Sequence, residues 1–257
     1  MKSKTNKVSN KEVLTKELHN RLEQHRSGEL SERISNKGVL TKELRTLLEQ
    51  QSSGELSSVE SNILSAAGDK SIKTIFVTSC YPNEGKSIGA LSTAYALANK
   101  SNSKVLLVDG NYHSPIVHDS FNLELSPGLS DYLVSGTAGN EILRETDIEN
   151  LTVVTSGTEM SNMLENFKSE TFQEKLLTLA AGFDYIVFDG YSVFGSVDAS
   201  IVARYFDGIM LVLECEKTRW EVVQQAKERL ANVGGKIIGV TLNRRKYYIP
   251  SNLYDRS

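Results

Sequence analysis

The sequence predicts an α/β fold with a doubly wound, mostly parallel sheet, and two observations support this. From residue 72 onward, short apolar runs alternate with helical patterns, which is typical of a sheet with helices on both faces. The apolar runs are continuous, as expected for strands that are buried on both faces. The predicted strands are Lys73–Ser79, Lys104–Asp109, Leu151–Thr155, Tyr185–Asp189, Gly208–Leu213 and Ile237–Leu242. The predicted helices are Ser87–Asn99, Leu129–Ser135, Thr171–Ala181, Ser196–Arg204 and Thr218–Val233.

The N-terminal part is a sequence duplication, which has to be recognised before a fold is assigned. Residues 9–32 and 35–58 are identical at 17 of 24 positions, with a period of 26 residues. Both copies carry apolar residues at helical spacing, so we predict an N-terminal extension with a helical repeat of two short amphipathic helices. Those apolar residues are Val13, Leu14, Leu18 and Leu22 in the first copy and Val39, Leu40, Leu44 and Leu48 in the second.

Several roles are open for these narrow apolar stripes. They could dock on the domain, pair with each other or bind a partner in a groove. Alternatively, the duplication is a tolerated feature of a flexible tail. We favour partner binding, because two copies of one helix face offer avidity.

The segment Thr78–Ser87 follows the first predicted strand, opens the first predicted helix and has the sequence of a phosphate-binding loop. In such a loop, backbone N–H groups and the helix N-terminus point at phosphates. Lys86 would reach the β- and γ-phosphates, and the Ser87 hydroxyl would ligate Mg²⁺. Cys80 replaces the first glycine of the usual pattern, and Asn83 replaces a further glycine, where Asn tolerates a positive φ. The sequence therefore predicts a domain of the P-loop NTPase type that binds a nucleoside triphosphate.

Two of the predicted strands end in an aspartate, Asp109 and Asp189. Ligands of doubly wound sheets bind beyond the carboxyl ends of the strands. A carboxylate held there can approach Mg²⁺ directly or through water. Together with Lys86 and Ser87, the two aspartates favour a nucleotide site over simple capping of the following turns.

Composition excludes several classes of function. A net charge of −3 over 257 residues gives no electrostatic case for nucleic-acid binding. No apolar run approaches the roughly 18 residues of a membrane span, and the first ten residues lack the apolar core of a signal peptide. We therefore expect a cytoplasmic protein. The two cysteines, Cys80 and Cys215, indicate neither a disulfide framework nor a metal site.

The motifs together resemble those of a known family. Residues 60–245 are similar to the cytoplasmic domain of the bacterial tyrosine kinases (BY-kinases) of capsule and exopolysaccharide synthesis, which are relatives of the MinD/ParA ATPases. The resembling segments are the Walker A loop at Thr78–Ser87, the Walker A′ segment at 108–115, the Gly-Leu-Ser-Asp segment at 127–133, the Walker B carboxylate Asp189, and the last strand with its asparagine at 239–243.

The resemblance implies an ATP site with Mg²⁺. It implies catalytic roles for Lys86, Asp109 and Asp189, and coordination of Mg²⁺ by Ser87, Asp109 and Asp189. It also implies a position for Asn243 near the adenine. The implied cofactor-binding residues are Asn83, Glu84, Gly85, Lys86, Ser87, Ile88 and Asn243.

The chain departs from the family in its chemistry and in its assembly. Asn111 and His113 stand where the family usually has a second Walker A′ carboxylate and an arginine. An amide cannot accept the hydroxyl proton, and we interpret His113 as structural. Gly190 and Tyr191 replace two prolines that usually follow the Walker B aspartate. Residues 55–63 contain no arginine, so ring assembly through the family's guanidinium contacts should be weak or different.

The repeat and the motifs divide the chain into three parts. Residues 1–58 are the N-terminal extension, residues 59–245 are a P-loop nucleotide-binding domain, and residues 246–257 are a basic tail that contains tyrosines. Three tyrosines of the tail could be phosphoacceptors or could pack on the domain. They are Tyr247, Tyr248 and Tyr254.

Three functions are compatible with this pattern. We favour a MgATP-binding, BY-kinase-like regulator of exopolysaccharide biosynthesis or export with weak or no tyrosine autophosphorylation. One alternative is an active autokinase that phosphorylates its own tail. The other is a MinD/ParA-like positioning ATPase, which ranks lower because Cys80, Tyr81 and Pro82 replace an additional P-loop lysine. The expected partners are a membrane-bound polysaccharide chain-length or export protein, at the inner face of the membrane, and further copies of the chain.

Overall fold

The computed structural model describes residues 37–51, 72–100, 102–158, 166–167, 170–195 and 198–244. The first copy of the repeat, residues 55–63 and the tail tyrosines lie outside these ranges, so the predictions made for them stay predictions. The same holds for the boundary that was predicted at residue 58.

Seven strands occur in the described part of the chain and form one sheet. They are β1 (Thr74–Ser79), β2 (Val105–Asp109), β3 (Arg144–Glu145), β4 (Leu151–Val154), β5 (Tyr185–Asp189), β6 (Gly208–Glu214) and β7 (Ile237–Asn243). Their order across the sheet is β3-β4-β2-β5-β1-β6-β7. Every neighbouring pair is parallel except β3 with β4, which is antiparallel. The predicted mostly parallel sheet is confirmed.

One helix precedes β1, and the other helices of the described part lie in the connections between the strands. They are α1 (Lys42–Gln51), α2 (Lys86–Lys100), α3 (Val117–Ser120), α4 (Gly139–Ile142), α5 (Glu170–Leu179), α6 (Asp198–Ala203) and α7 (Trp220–Asn232), with a π-helical turn at Asp131–Ser135. Within the described ranges, no helix combines the length and apolar character needed to cross a membrane.

The structure differs from the predicted elements in a few places. The predicted helix Leu129–Ser135 is helical over its whole length but becomes a π-helical turn from Asp131, and the N–H groups of Leu129 and Ser130 at its start donate to Thr155 O and Ser156 O. The strand β3 and the helices α3 and α4 were not predicted. Each is too short to produce a periodic apolar pattern.

The two faces of the sheet are covered by separate cores, because successive side chains of a strand point to opposite faces. On one face, Phe76 and Phe188 stack with ring centroids 5.9 Å apart in an aromatic-rich core. On the other face, Ile75 and Val187 pack in an aliphatic core with α1 and α2. Strands that serve two cores need apolar residues at every position, which explains the continuous apolar runs.

The second copy of the repeat docks on the aliphatic core. Leu40, Leu44 and Leu48 are at most 3% exposed, and Leu47 is buried beside them, whereas Val39 is half exposed. This copy contains the helix α1, whereas the predicted helical repeat as a whole stays a prediction. Of the roles left open by the sequence, docking on the domain is the one that the structure shows for it.

Candidate nucleotide-binding site

The loop between β1 and α2 turns through two residues with positive φ. Asn83 has a φ of 67° and Gly85 a φ of 92°. The value at Asn83 confirms the expectation that Asn replaces a glycine at this position. A Cβ atom at Gly85 would lie 1.9 Å from Asn243 Nδ2, so a side chain at residue 85 would displace the Asn243 amide. Glycine is therefore favoured at residue 85 by its positive φ and by this close approach.

Glu84 holds this loop closed. Its carboxylate accepts the backbone N–H of Tyr81 through Oε2 (3.0 Å) and the hydroxyl of Thr218 through Oε1. Its carbonyl oxygen accepts Asn243 Nδ2 at 2.9 Å. The resemblance implied cofactor contacts for Glu84 and Asn243. In the structure, both residues support the loop from within the protein, and their contacts with a cofactor stay predictions.

Lys86 and Ser87 open α2 beside the end of β5. Lys86 Nζ lies 4.0 Å from Asp189 Oδ1 and 3.4 Å from Ser87 Oγ. Asp189 is only 1% exposed, and neither of its carboxylate oxygens has a hydrogen-bond partner among the described residues. The next residue, Ile88, packs against the aliphatic core. Any contact of Ile88 with a ligand would therefore come from its backbone.

Asp109 ends β2 directly beside Asp189, and the two aspartates are paired in register across the parallel strands. Oδ1 of Asp109 accepts the backbone N–H of Asn111 at 3.1 Å. Oδ2 accepts the N–H groups of Ile116 and Val117, each at 3.0 Å. Asp109 therefore fixes the loop after β2 and the start of α3 to the sheet edge.

Burial of the two aspartates changes their acidity. Burial and the charge of Asp189 together raise the pKa of Asp109 to about 7, although three backbone hydrogen bonds oppose the shift. Burial also raises the pKa of Asp189, and Lys86 and Ser87 oppose that shift. Two adjacent buried carboxylates disfavour each other's charge, and a bound cation would relieve this.

These residues fit the Mg²⁺ ion that the family implies. Mg²⁺ in nucleotide sites is held by one or two carboxylates together with phosphate oxygens and water. Asp189 supplies buried oxygens that make no hydrogen bond among the described residues, Asp109 lies beside it, and Ser87 supplies a hydroxyl. Such an ion would neutralise charge that develops on the phosphates of a bound nucleotide.

The side chains of Asn111 and His113 both make contacts within the protein. Asn111 is 6% exposed, and its Nδ2 donates to the carbonyl oxygen of Ser114 at 2.9 Å. The His113 ring lies against the ring of Tyr112, with centroids 4.2 Å apart, and near Tyr191 at 5.9 Å. These contacts agree with the structural role expected for His113.

The replacement of a family proline by Gly190 has a packing reason. A Cβ atom at Gly190 would lie 2.2 Å from Phe76 Cζ. The Phe76 ring thus occupies the space that a larger residue after Asp189 would need. The next residue, Tyr191, packs edge to face with Tyr112, with centroids 5.2 Å apart. Aromatic contacts therefore join the Walker A′ segment to the residues that follow the Walker B carboxylate, Asp189.

Sequence reasoning missed one residue that supports the loop. Thr218 follows β6 and donates its hydroxyl to Glu84 across 134 residues of sequence. No motif or periodicity marks it, because the contact arises only from the strand order. The predicted residues Lys86, Ser87, Asp109 and Asp189 are brought together at the carboxyl ends of β1, β2 and β5.

Comparisons with known proteins agree with this arrangement. A family model described as an AAA domain (AAA_31) matches residues 72–237. The tyrosine-protein kinase YwqD of Bacillus subtilis is 32% identical over 189 residues, which cover 74% of this chain and 79% of the relative. The putative tyrosine-protein kinase CapB of Staphylococcus aureus is 32% identical over 186 residues, covering 72% of this chain and 81% of the relative. The solved structure of the chimerical protein CapA2B2 has a TM-score of 0.73 and 28% identity, covering 90% of this chain and 99% of that one.

The residues matched by the family model include the loop after β1 and both aspartates, and they end before Asn243. The model also covers more than half of the chain, and the curated relatives match over most of their own length. The chain therefore belongs to the AAA domain family and to the family of bacterial tyrosine-protein kinases.

Proposed function

We propose that this chain is a MgATP-binding, BY-kinase-like regulator of exopolysaccharide biosynthesis or export, with weak or no tyrosine autophosphorylation. The observation that carries the proposal is Asn111. Its neutral amide stands where the family usually has a carboxylate, and its side chain is engaged with Ser114 O.

The binding half of the site supports nucleotide affinity. The positive φ values of Asn83 and Gly85 shape the loop, and Lys86 lies at its end beside Asp189. Lys86 would contact phosphate, and Ser87, Asp109 and Asp189 would hold Mg²⁺ and its waters. A bound triphosphate would separate Lys86 from Asp189. Lys86 would then contact phosphate, and Asp189 would contact Mg²⁺ and its waters.

The chemical half of the site supports weak transfer. A tyrosine hydroxyl that attacks the γ-phosphate has to lose its proton, and a positioned carboxylate is the usual acceptor. The remaining Walker A′ carboxylate, Asp109, already accepts three backbone N–H groups. Moving it to serve as the base would break the bonds that hold the loop after β2.

The proposed partner is a membrane-bound polysaccharide chain-length or export protein. The name of the chimerical CapA2B2 protein suggests that a CapB-type chain functions together with a CapA-type chain. Such a partner would hold the present chain at the inner face of the membrane. Further copies of the chain are a second candidate partner.

An active tyrosine autokinase is the second candidate function. The curated relatives are named tyrosine-protein kinases, and the tail contributes Tyr247, Tyr248 and Tyr254 as candidate acceptors. In this case Asp109 alone would serve the transfer, after activation by a partner. Replacing all three tyrosines with Phe should then remove the phosphotyrosine signal.

The deciding experiment incubates the purified chain with Mg²⁺ and γ-labelled ATP and measures nucleotide binding and phosphotyrosine together. Lys86→Met is the binding control, and Asn111→Asp restores the carboxylate of the family. We expect binding that Lys86→Met abolishes, little phosphotyrosine in the unchanged chain and more in Asn111→Asp. Lys86-dependent autophosphorylation of the unchanged chain at about 1 per second, a rate typical of kinases, would establish the second function instead.

A further inference from the structure

The second copy of the repeat lies in a groove beside α3. We call this the docking groove and define it by Ser120, Phe121, Leu123, Asp147 and Ile148. Phe121, Leu123 and Ile148 belong to the same buried cluster as the leucines of α1. A Cβ atom at Gly38 would lie 3.1 Å from Leu123 Cδ1 and 3.2 Å from Phe121 Cβ. The groove therefore fits closely around the chain at residue 38.

Backbone hydrogen bonds fix the register of the docked segment. Gly38 N donates to Glu145 O (2.7 Å), and Gly38 O accepts Asp147 N (2.8 Å). Val39 N donates to Phe121 O (2.8 Å). The next two residues continue the pattern, with Leu40 N on Asp147 Oδ1 at 3.1 Å and Thr41 N on Ser120 O at 3.0 Å. Four successive N–H groups are thus held by the groove.

The first copy of the repeat carries most of what this docking uses. The backbone N–H groups do not depend on side-chain identity, and Val-Leu-Thr-Lys-Glu-Leu occurs in both copies, at residues 13–18 and 39–44. The buried leucines at 40, 44 and 48 correspond to Leu14, Leu18 and Leu22. A segment with this sequence can therefore present the same apolar stripe to the groove.

Three of the seven differences between the copies fall on docking contacts. Gly38, which fits closely against Phe121 and Leu123, corresponds to Glu12. Arg45, which pairs with Asp147, corresponds to His19. Leu47, which is 5% exposed, corresponds to Arg21. Each change in the first copy opposes docking, through crowding, a weaker ion pair or the burial of a charge.

We infer that the docking groove recognises the repeat sequence itself, and that residues 9–32 are a second, weaker ligand of the same groove in the same molecule. Residues 38, 45 and 47, together with their counterparts 12, 19 and 21, decide which copy docks. The chain between the first copy and β1 is 26 residues longer than the chain between the second copy and β1. The first copy therefore has the reach to occupy the groove. A tethered segment has an effective concentration of the order of millimolar, which favours docking within one molecule over docking between molecules.

The test exchanges the three deciding residues between the copies in the full chain. One variant combines Glu12→Gly, His19→Arg and Arg21→Leu with Gly38→Glu, Arg45→His and Leu47→Arg, so the overall composition is unchanged. Amide hydrogen exchange is followed by mass spectrometry on peptic fragments of both chains. Because the stretch 13–18 equals the stretch 39–44, the fragments must include residue 12 or 19, and residue 38 or 45.

In the unchanged chain, we expect the amides of residues 38–41 to exchange at least about tenfold more slowly than those of residues 12–15. In the exchange variant, this protection should move to residues 12–15. Protection that stays at 38–41, or that is lost from both copies while the remaining domain keeps its protection, would overturn the inference. Intermolecular docking, visible as protection that rises with protein concentration, would overturn it as well.

A second pair of variants keeps the result interpretable if the exchange variant is unstable. In the exchange variant, Leu18→Asp should abolish the protection at residues 12–15, whereas Leu44→Asp should leave it unchanged. In the unchanged chain, Leu44→Asp should remove the protection from residues 38–41 and raise that of residues 12–15, because the first copy then has no competitor for the groove, whereas Leu18→Asp should change neither. Equal effects of the two substitutions in either chain would contradict recognition by sequence.

Discussion

Asp109 and Thr41 bind opposite ends of the same single helical turn, α3. Asp109 Oδ2 accepts the first N–H groups of the turn, those of Ile116 and Val117, each at 3.0 Å. Thr41 N donates to the carbonyl oxygen of Ser120, the last residue of the turn, at 3.0 Å. The proposed Mg²⁺ site and the docked repeat therefore share one small element. A substitution that loosens the docked repeat should therefore change nucleotide affinity, and nucleotide binding should change how firmly the repeat is docked.

Asp147→Ala should weaken MgATP binding although residue 147 belongs to the docking groove. The substitution removes the acceptor of Leu40 N and the partner of Arg45, so the docked segment should hold α3 less firmly. We expect about a fivefold increase in the Kd of MgATP, measured by calorimetry. Glu149→Ala, which removes an exposed carboxylate two residues away, is the matched control. Equal affinities of the two variants would contradict the link.

Leu44→Ala should destabilise the chain, whereas Leu18→Ala at the equivalent position of the first copy should not. Leu44 is fully buried in the aliphatic core, and removing such a side chain costs about 2–5 kcal/mol of unfolding free energy. The measurement is urea unfolding of both variants. A similar loss in both would mean that both copies are packed in the core at the same time.

The elements that were predicted from the sequence are those whose signal is local. β1, β2 and β5 are buried at nearly every position and contain continuous apolar runs because they serve two cores, and the loop after β1 carries a recognisable motif. α3 escaped prediction because a helix of four residues produces no periodic apolar pattern. One end is held by Asp109 and the other by the docked repeat.

The same distinction applies to the candidate site. Lys86, Ser87 and the two strand-terminal aspartates were predicted because each follows a strand at a defined point of a motif. The support of Glu84 by Thr218 and Asn243 was not predicted, because these partners are 134 and 159 residues away in sequence. Only the strand order, which places β6 beside β1 and β7 beside β6, brings them to the loop.

Between about pH 4 and pH 7, the chain without nucleotide should lose stability as the pH rises. The pKa of Asp109 is about 7 in the folded chain, above the ordinary value of 3.8, because the carboxyl group is buried. The folded state therefore binds more protons than the unfolded state in this window, and the free energy of unfolding falls with rising pH. The slope is at most about 1.4 kcal/mol for each pH unit.

This pH effect is measured by urea unfolding at several pH values in the chain and in Asp109→Asn. The variant carries no ionisable group at residue 109, so its stability should depend less on pH between 4 and 7. Asp189, whose pKa is also raised by burial, would leave a residual slope of the same sign. Identical slopes in both proteins would show that Asp109 is already ionised across this range.

Cys80 should resist thiol reagents while the chain is folded. Its side chain is fully buried, and burial, together with the charge of Glu84, raises its pKa to about 12. Thiolate, the reactive form, is therefore scarce. Of the two cysteines, only Cys215, which is partly exposed, should react rapidly with a disulfide reagent in native buffer. Rapid reaction of both thiols would indicate that the loop after β1 opens readily.

Gly85→Ala should abolish nucleotide binding, whereas Gly136→Ala should leave it intact. Both glycines have positive φ, 92° and 75°, so both substitutions bear the same backbone strain of about 1–2 kcal/mol. They differ in surroundings, because a Cβ atom at Gly85 would lie 1.9 Å from Asn243 Nδ2 and a Cβ atom at Gly136 would have no neighbour within 4 Å. The added methyl group at residue 85 should displace Asn243 from Glu84 and distort the loop. Binding of MgATP by Gly85→Ala with the affinity of Gly136→Ala would show that the loop does not need this close approach.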